Sequence, residues 1–204
     1  MRRTWKHGLI ATALVASPAW AFHAGSQFDK TAGAGGGAGL FYTGSHRERG
    51  WTCAACHVDA QNKIKVQLAV QPNLFDGFRY APNQVYAFTA TLVGEWKGLD
   101  SPRANYNGFS LEVTDLRDRA AGSMGYSPTE LYGPSQLALV TSIGTQPNKT
   151  TWTFSWTAPP AGTGTIRINL AAVDGNGADS GANGTLTDPF GDDVFTAMVE
   201  IQER

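Results

Sequence analysis

The sequence predicts an all-β protein, an antiparallel β-sandwich of immunoglobulin-like architecture with a glycine-rich N-terminal arm. Three observations predict it. From residue 63 onward, apolar residues recur at every second position in one short run after another. Those runs are filled with Thr, Val, Ile, Trp and Phe, which suit a pleated, half-buried surface. Turn chemistry separates them at short intervals, and no apolar stripe of helical period and useful length intervenes. Several short strands with such punctuation argue a sandwich of two sheets.

Residues 1–21 read as a secretory signal peptide. Arg2, Arg3 and Lys6 form a positive head. A short apolar run from Leu9 to Ala16 follows, and Pro18 precedes the small-x-small pattern Ala19-Trp20-Ala21. The run is too short for a stable bilayer anchor, which needs about 20 apolar residues. Arg2-Arg3 invites a twin-arginine reading, but its surroundings match that signal poorly, so ordinary unfolded export is expected. Cleavage near Ala21 places the protein in the periplasm, outside the cell or at its surface. The whole chain carries a formal charge of −1, with 17 acidic against 16 basic residues. Loss of three basic residues with the signal makes the mature chain more acidic. No basic stripe for nucleic acid and no polybasic membrane patch is present. No later apolar stretch approaches the length of a transmembrane helix.

Residues 22–62 form the arm. Its low-complexity stretch AGAGGGAG, residues 32–39, reads either as a tether or as backbone that can approach a flat ligand closely. Leu40, Phe41, Tyr42 and Trp51 either cover such a ligand or dock the arm on the rest of the chain. The arm then carries Cys53-Ala54-Ala55-Cys56-His57, the C-x-x-C-H spacing that attaches haem c. Each thiol can add to one haem vinyl group, and His57 can rise against one face of the ring as the proximal iron ligand. Cys53 and Cys56 are the chain's two cysteines, too few for an all-cysteine zinc or iron–sulfur site. The competing readings are a small disulfide loop and a thioredoxin-like pair, and the latter needs a βαβ context that the sequence does not offer. Export favours haem, because haem c is attached outside the cytoplasm. One covalent haem c is therefore expected.

Residues 63–204 form the sandwich. In the first run Ile64, Val66, Leu68 and Val70 alternate with Lys65, Gln67 and Ala69. Further strands are expected at 84–93, 107–115, 136–142, 150–158, 165–173 and 193–202, making seven. Trp152, Phe154 and Trp156 fall on one face and should be core. In the last strand Phe195, Ala197, Val199 and Ile201 share one face, while Val194, Thr196, Met198 and Glu200 share the other. The acidic, glycine-rich segment 174–193 offers Asp174, Asn176 and Asp179 as oxygen ligands. Ala178 stands where an EF-hand needs an oxygen and no Glu closes the motif, so a hairpin loop is the simpler reading. Asn148-Lys149-Thr150 and Asn183-Gly184-Thr185 match the glycosylation pattern, which is common by chance.

Six landmarks in order resemble a known family. They are Gly50-Trp51-Thr52 before the C-x-x-C-H; Tyr80-Ala-Pro-Asn-Gln-Val-Tyr86; Gly108-Phe109-Ser110-Leu111; Ala121-Gly122-Ser123-Met124; Trp152-Thr-Phe-Ser-Trp156-Thr-Ala-Pro159; and Gly191-Asp192-Asp193-Val194-Phe195. Together, over roughly residues 40–200, they resemble the reeler-like, choice-of-anchor V type domains of exported bacterial proteins. The resemblance implies a reelin-domain-like sandwich carrying a C-x-x-C-H arm. Many relatives of this pattern have a histidine before the W-x-F-x-W strand. Here that stretch reads Leu139-Val140-Thr141-Ser142-Ile143, so no distal-ligand role carries over.

The functional expectation is an exported monohaem c-type cytochrome that transfers single electrons to an unidentified redox partner protein. The alternative is a non-catalytic cell-surface or extracellular binding or matrix module in which the C-x-x-C-H arm is structural. No nucleophile–base pairing is visible, so an enzyme is not expected. For the sixth iron position the candidates are His23, His46, Met124 and Met198, or an open or water-bound site. His46 is named as the candidate distal ligand because its polar stretch lies seven residues before Cys53 and has no packing purpose.

Overall fold

The computed structural model describes residues 40–55, 57, 63–94, 107–143, 148–175 and 192–204. Residues 1–39, with the expected signal peptide, AGAGGGAG stretch and His23, lie outside the described residues, as do Cys56, Asn176 and Asp179. Ten strands follow: β1 (Ile64–Gln71), β2 (Arg79–Tyr80), β3 (Val85–Gly94), β4 (Gly108–Asp115), β5 (Ser123–Tyr126), β6 (Leu131–Tyr132), β7 (Leu139–Ser142), β8 (Thr151–Thr157), β9 (Ile166–Asp174) and β10 (Asp193–Glu203). They form a four-stranded sheet, order β1-β3-β8-β5, and a six-stranded sheet, order β2-β10-β9-β4-β7-β6. All pairings are antiparallel except the short one between β10 and β2. The chain is an all-β sandwich. Among the described residues, helix is confined to a 3-10 turn at Cys53–Ala55, and no helix is long and apolar enough to cross a membrane.

The seven-strand expectation is corrected to ten. The added β2, β5 and β6 span only two to four residues, too short for an alternating pattern to show. The strand expected at 136–142 shrinks to Leu139–Ser142, because a turn comes first, with Leu137 N–H donating to Pro134 C=O.

Aromatic side chains fill the space between the sheets. Phe109 from β4 stacks on Trp152 of β8 at 5.4 Å and also meets Phe154, so its ring joins the two sheets. Phe88 stacks on Phe154 at 5.1 Å. Each such pair contributes ~0.5–1.5 kcal/mol beyond its area burial. Trp156 is fully buried, with Tyr80 edge-on at 5.9 Å and Tyr86 at 5.6 Å. Its indole N–H donates to Ala121 C=O at 2.8 Å. Gly122 must be glycine: its φ is +87°, and a Cβ there would stand 2.2 Å from the Thr157 carbonyl oxygen. Three of the sequence landmarks thus meet around one indole. The Tyr86 hydroxyl also accepts from Ala81 N–H, and the intervening Asn83 takes a left-handed φ of +59°, which asparagine tolerates. Burial, with Glu203 alongside, pushes the Tyr80 hydroxyl pKa up to about 12.

The two sheets differ in how they meet solvent. β3 and β8 alternate buried and exposed residues, as strands with one wet face do. β4 and β9 are buried almost throughout. One face of each lies on the core. The other face, with Ser110, Glu112, Asn169 and Ala171, is covered, and the N-terminal arm takes part in covering it.

Candidate functional site

The arm is a tight hairpin. Thr43 and Thr52 form an antiparallel bridge, and Gly44 N–H donates to Trp51 C=O at 2.8 Å. Residues 45–50 make the turn, in which Arg49 and Gly50 both take positive φ. The hairpin binds the six-stranded sheet through polar groups. Glu112, 1% exposed, accepts from Thr43 Oγ1 at 3.0 Å, Ser45 Oγ at 2.5 Å and Arg47 Nε at 2.5 Å. Ser110 Oγ donates to Phe41 C=O at 2.7 Å. Inside the hairpin, buried Glu48 accepts from the backbone N–H groups of Phe41 and Tyr42, and Arg47 Nη2 reaches its other oxygen at 3.0 Å. Burial and the nearby Glu112 raise the Glu48 carboxyl above its ordinary pKa, against the pull of those N–H groups and Arg47. Phe41 is buried and stacks on Tyr132, so it docks the arm, while Trp51 is half exposed.

Beyond the hairpin, the chain makes a helical turn over the first three residues of the C-x-x-C-H motif. Cys53–Ala55 is the 3-10 turn, and His57 N–H donates to Cys53 C=O at 3.0 Å. The turn packs against β9. His57 Nδ1 lies 2.5 Å from Oδ2 of Asp192, with the two side chains 16% and 7% exposed. Asp192 directly precedes Asp193, which is paired with Asp174 across β10 and β9. The sheet thus fixes its position.

The distal-ligand candidates divide by face. Met124 packs against the core from the four-stranded sheet, away from the arm. Met198 stands 58% exposed on β10, opposite Asn169, on the face the arm covers. His46 is at the hairpin turn, largely exposed, with Nδ1 2.7 Å from Asp118 Oδ2. That contact supplies a local role that the sequence reading did not see. His46, Arg49, Gly50, Arg167, Asn169 and Met198 border one cleft of about 650 Å³. Neither Cys53 nor His57 lines it. Among the described residues, no group of three or more His, Cys, Asp or Glu side chains is arranged to hold a bare metal ion.

Sequence reasoning missed Glu112, Glu48 and Asp192. Glu112 sits in the run Phe109–Val113 on the face opposite the core, where a polar residue reads as solvent-exposed. Asp192 was part of a quoted landmark, but nothing in the sequence links it to a histidine 135 positions earlier.

The fold and site define an all-β sandwich with a hairpin docked on its larger sheet and the C-x-x-C-H motif following that hairpin in the chain. Among solved structures, it is similar to the Reelin-N domain of F-spondin, with 18% identity and a TM-score of 0.49, over 74% of this chain and 95% of that one. It is also similar to the human F-spondin reeler domain, in one fragment with 19% identity and a TM-score of 0.47, over 74% and 96% of the two chains. A conjugative transposon lipoprotein from Bacteroides eggerthii follows at 8% identity and a TM-score of 0.32, over 69% and 97%. With TM-scores below 0.5, these likenesses assign neither family nor function. No protein-family profile matches the chain, and no curated protein matches it.

Proposed function

We propose that this protein is an exported monohaem c-type cytochrome that passes single electrons to a redox partner protein in the periplasm or at the cell surface. The observation that carries the reading is the contact that holds the motif's His57 imidazole against Asp192, just beyond the 3-10 turn at Cys53–Ala55. The residues fit the group. Occupation of Nδ1 by Asp192 leaves Nε2 of His57 as the donor nitrogen. Cys53 and Cys56 would hold haem c through two thioethers and His57 would ligate its iron. Bound there, the haem supplies a one-electron couple. The chain's own residues do the positioning: Glu112 and Ser110 hold the arm on the sheet, and Asp192 orients the ring. For the sixth iron position His46, whose Nδ1 engages Asp118, stays a candidate beside His23, Met124, Met198 and an open or water-bound site.

A second reading has one observation in its favour. The arm's bonds to Glu112 and Ser110 involve neither thiol nor His57. A non-catalytic extracellular binding module with a structural arm would use the same contacts. Expression with a cytochrome c maturation system separates the two. The haem reading expects a pyridine haemochrome spectrum and a covalent mass gain, both lost in Cys53→Ser/Cys56→Ser. A colourless wild-type protein without added mass overturns it in favour of the binding module.

A further inference from the structure

We propose that Asp192 sets the electron-donating strength of His57 and thereby holds the haem iron at a low potential. This deepens the haem reading and rests on it. The acidic segment ending at Asp193 has no place in the electron-transfer reading drawn from sequence, yet one of its carboxylates is in direct contact with the C-x-x-C-H histidine. Nδ1 and Oδ2 are within hydrogen-bond distance, and both side chains are mostly buried. In such surroundings a hydrogen bond is stronger than in water. The bond places the ring proton on Nδ1, donated to Oδ2, and leaves the Nε2 lone pair for iron. A carboxylate acceptor draws that proton more strongly than a neutral oxygen does, so electron density rises in the ring. A more basic imidazole stabilises ferric over ferrous iron. Asp192 is thus a positioning and tuning residue.

The test compares haem-loaded wild type with Asp192→Asn and Asp192→Glu by redox titration. Asparagine keeps an oxygen or nitrogen near Nδ1 but removes the carboxylate. The expected result is an about tenfold shift of the ferrous/ferric ratio toward ferrous iron at fixed poise, about 59 mV upward for one electron. Asp192→Glu should recover most of the wild-type value. A purely structural role would lower the melting temperature and leave the potential where it was. If Asp192→Asn fails to fold or to load, a second readout stands in. In the haem-free Cys53→Ser/Cys56→Ser chain, nitrogen-15 shifts of His57 should report a protonated Nδ1 and a bare Nε2. The opposite tautomer overturns the proposal. Haem present with an unchanged Asp192→Asn potential overturns the role of Asp192 alone. Haem absent from the wild type overturns the reading it rests on.

Discussion

Removing the Glu112 side chain should release the N-terminal arm while the sandwich stays folded. Three of the arm's polar anchors converge on this one carboxylate: two buried hydroxyls and the Arg47 guanidinium. Hydrogen bonds to charged groups contribute ~1.5–3 kcal/mol each. They are not additive here, because Arg47 is 26% exposed and recovers hydration when its partner goes. Loss of one member of a buried pair typically costs ~3–5 kcal/mol, and the lower end suits a partner that can rehydrate. The aromatic core around Phe109, Trp152 and Trp156 does not touch Glu112's acceptor contacts, so the cost should fall on docking of the arm. About 3 kcal/mol corresponds to a roughly 100-fold larger undocked population. Trypsin reads that population, since Arg47 and Arg49 lie in the hairpin and cleavage follows local opening. Glu112→Ala should therefore be cut in the arm about 100-fold faster than wild type, with the remaining domain resistant. Glu112→Gln, which keeps an acceptor, should fall between. A Glu112→Ala cleavage rate close to that of wild type refutes the idea that this carboxylate holds the arm.

Two further predictions concern stability. Trp156→Ala should cost about 3–5 kcal/mol, read as a fall in urea midpoint at constant m-value, because it empties a fully enclosed site and strips Ala121 C=O of its donor. A near-neutral result would mean the indole is not core. Glu48→Gln should change how stability depends on pH. The folded state holds the Glu48 proton more tightly than the unfolded chain does, so stability falls as pH rises from 4.5 through the raised folded value. The Gln variant should lack that fall, and identical pH profiles for the two proteins would show that Glu48 does not titrate as its burial requires.

Much of this protein is readable from local pattern. The period-two alternation locates β1, β3, β8 and β10 to within a residue or so, because each puts one face on the core. Burial of Trp152, Phe154 and Trp156 follows from their shared parity, and exposure of Met198 from its place among Thr196 and Glu200. The spacing Cys53-x-x-Cys56-His57 supplies the sequence ground on which the haem proposal rests. Tertiary structure decided which partners those residues meet. Ser110, Glu112 and Asn169 have the parity of solvent-facing residues, yet they are buried, since residues 41–52 return across that face. Alternation reports which side of a strand is away from the core and carries no information about what lies there. Asp192 reaches His57 only because β9 and β10 pair Asp174 with Asp193 at the strand ends where the helical turn lands. A contact spanning 135 residues leaves no trace in any local window, since it is made by the closing of sheets and not by the sequence around either group.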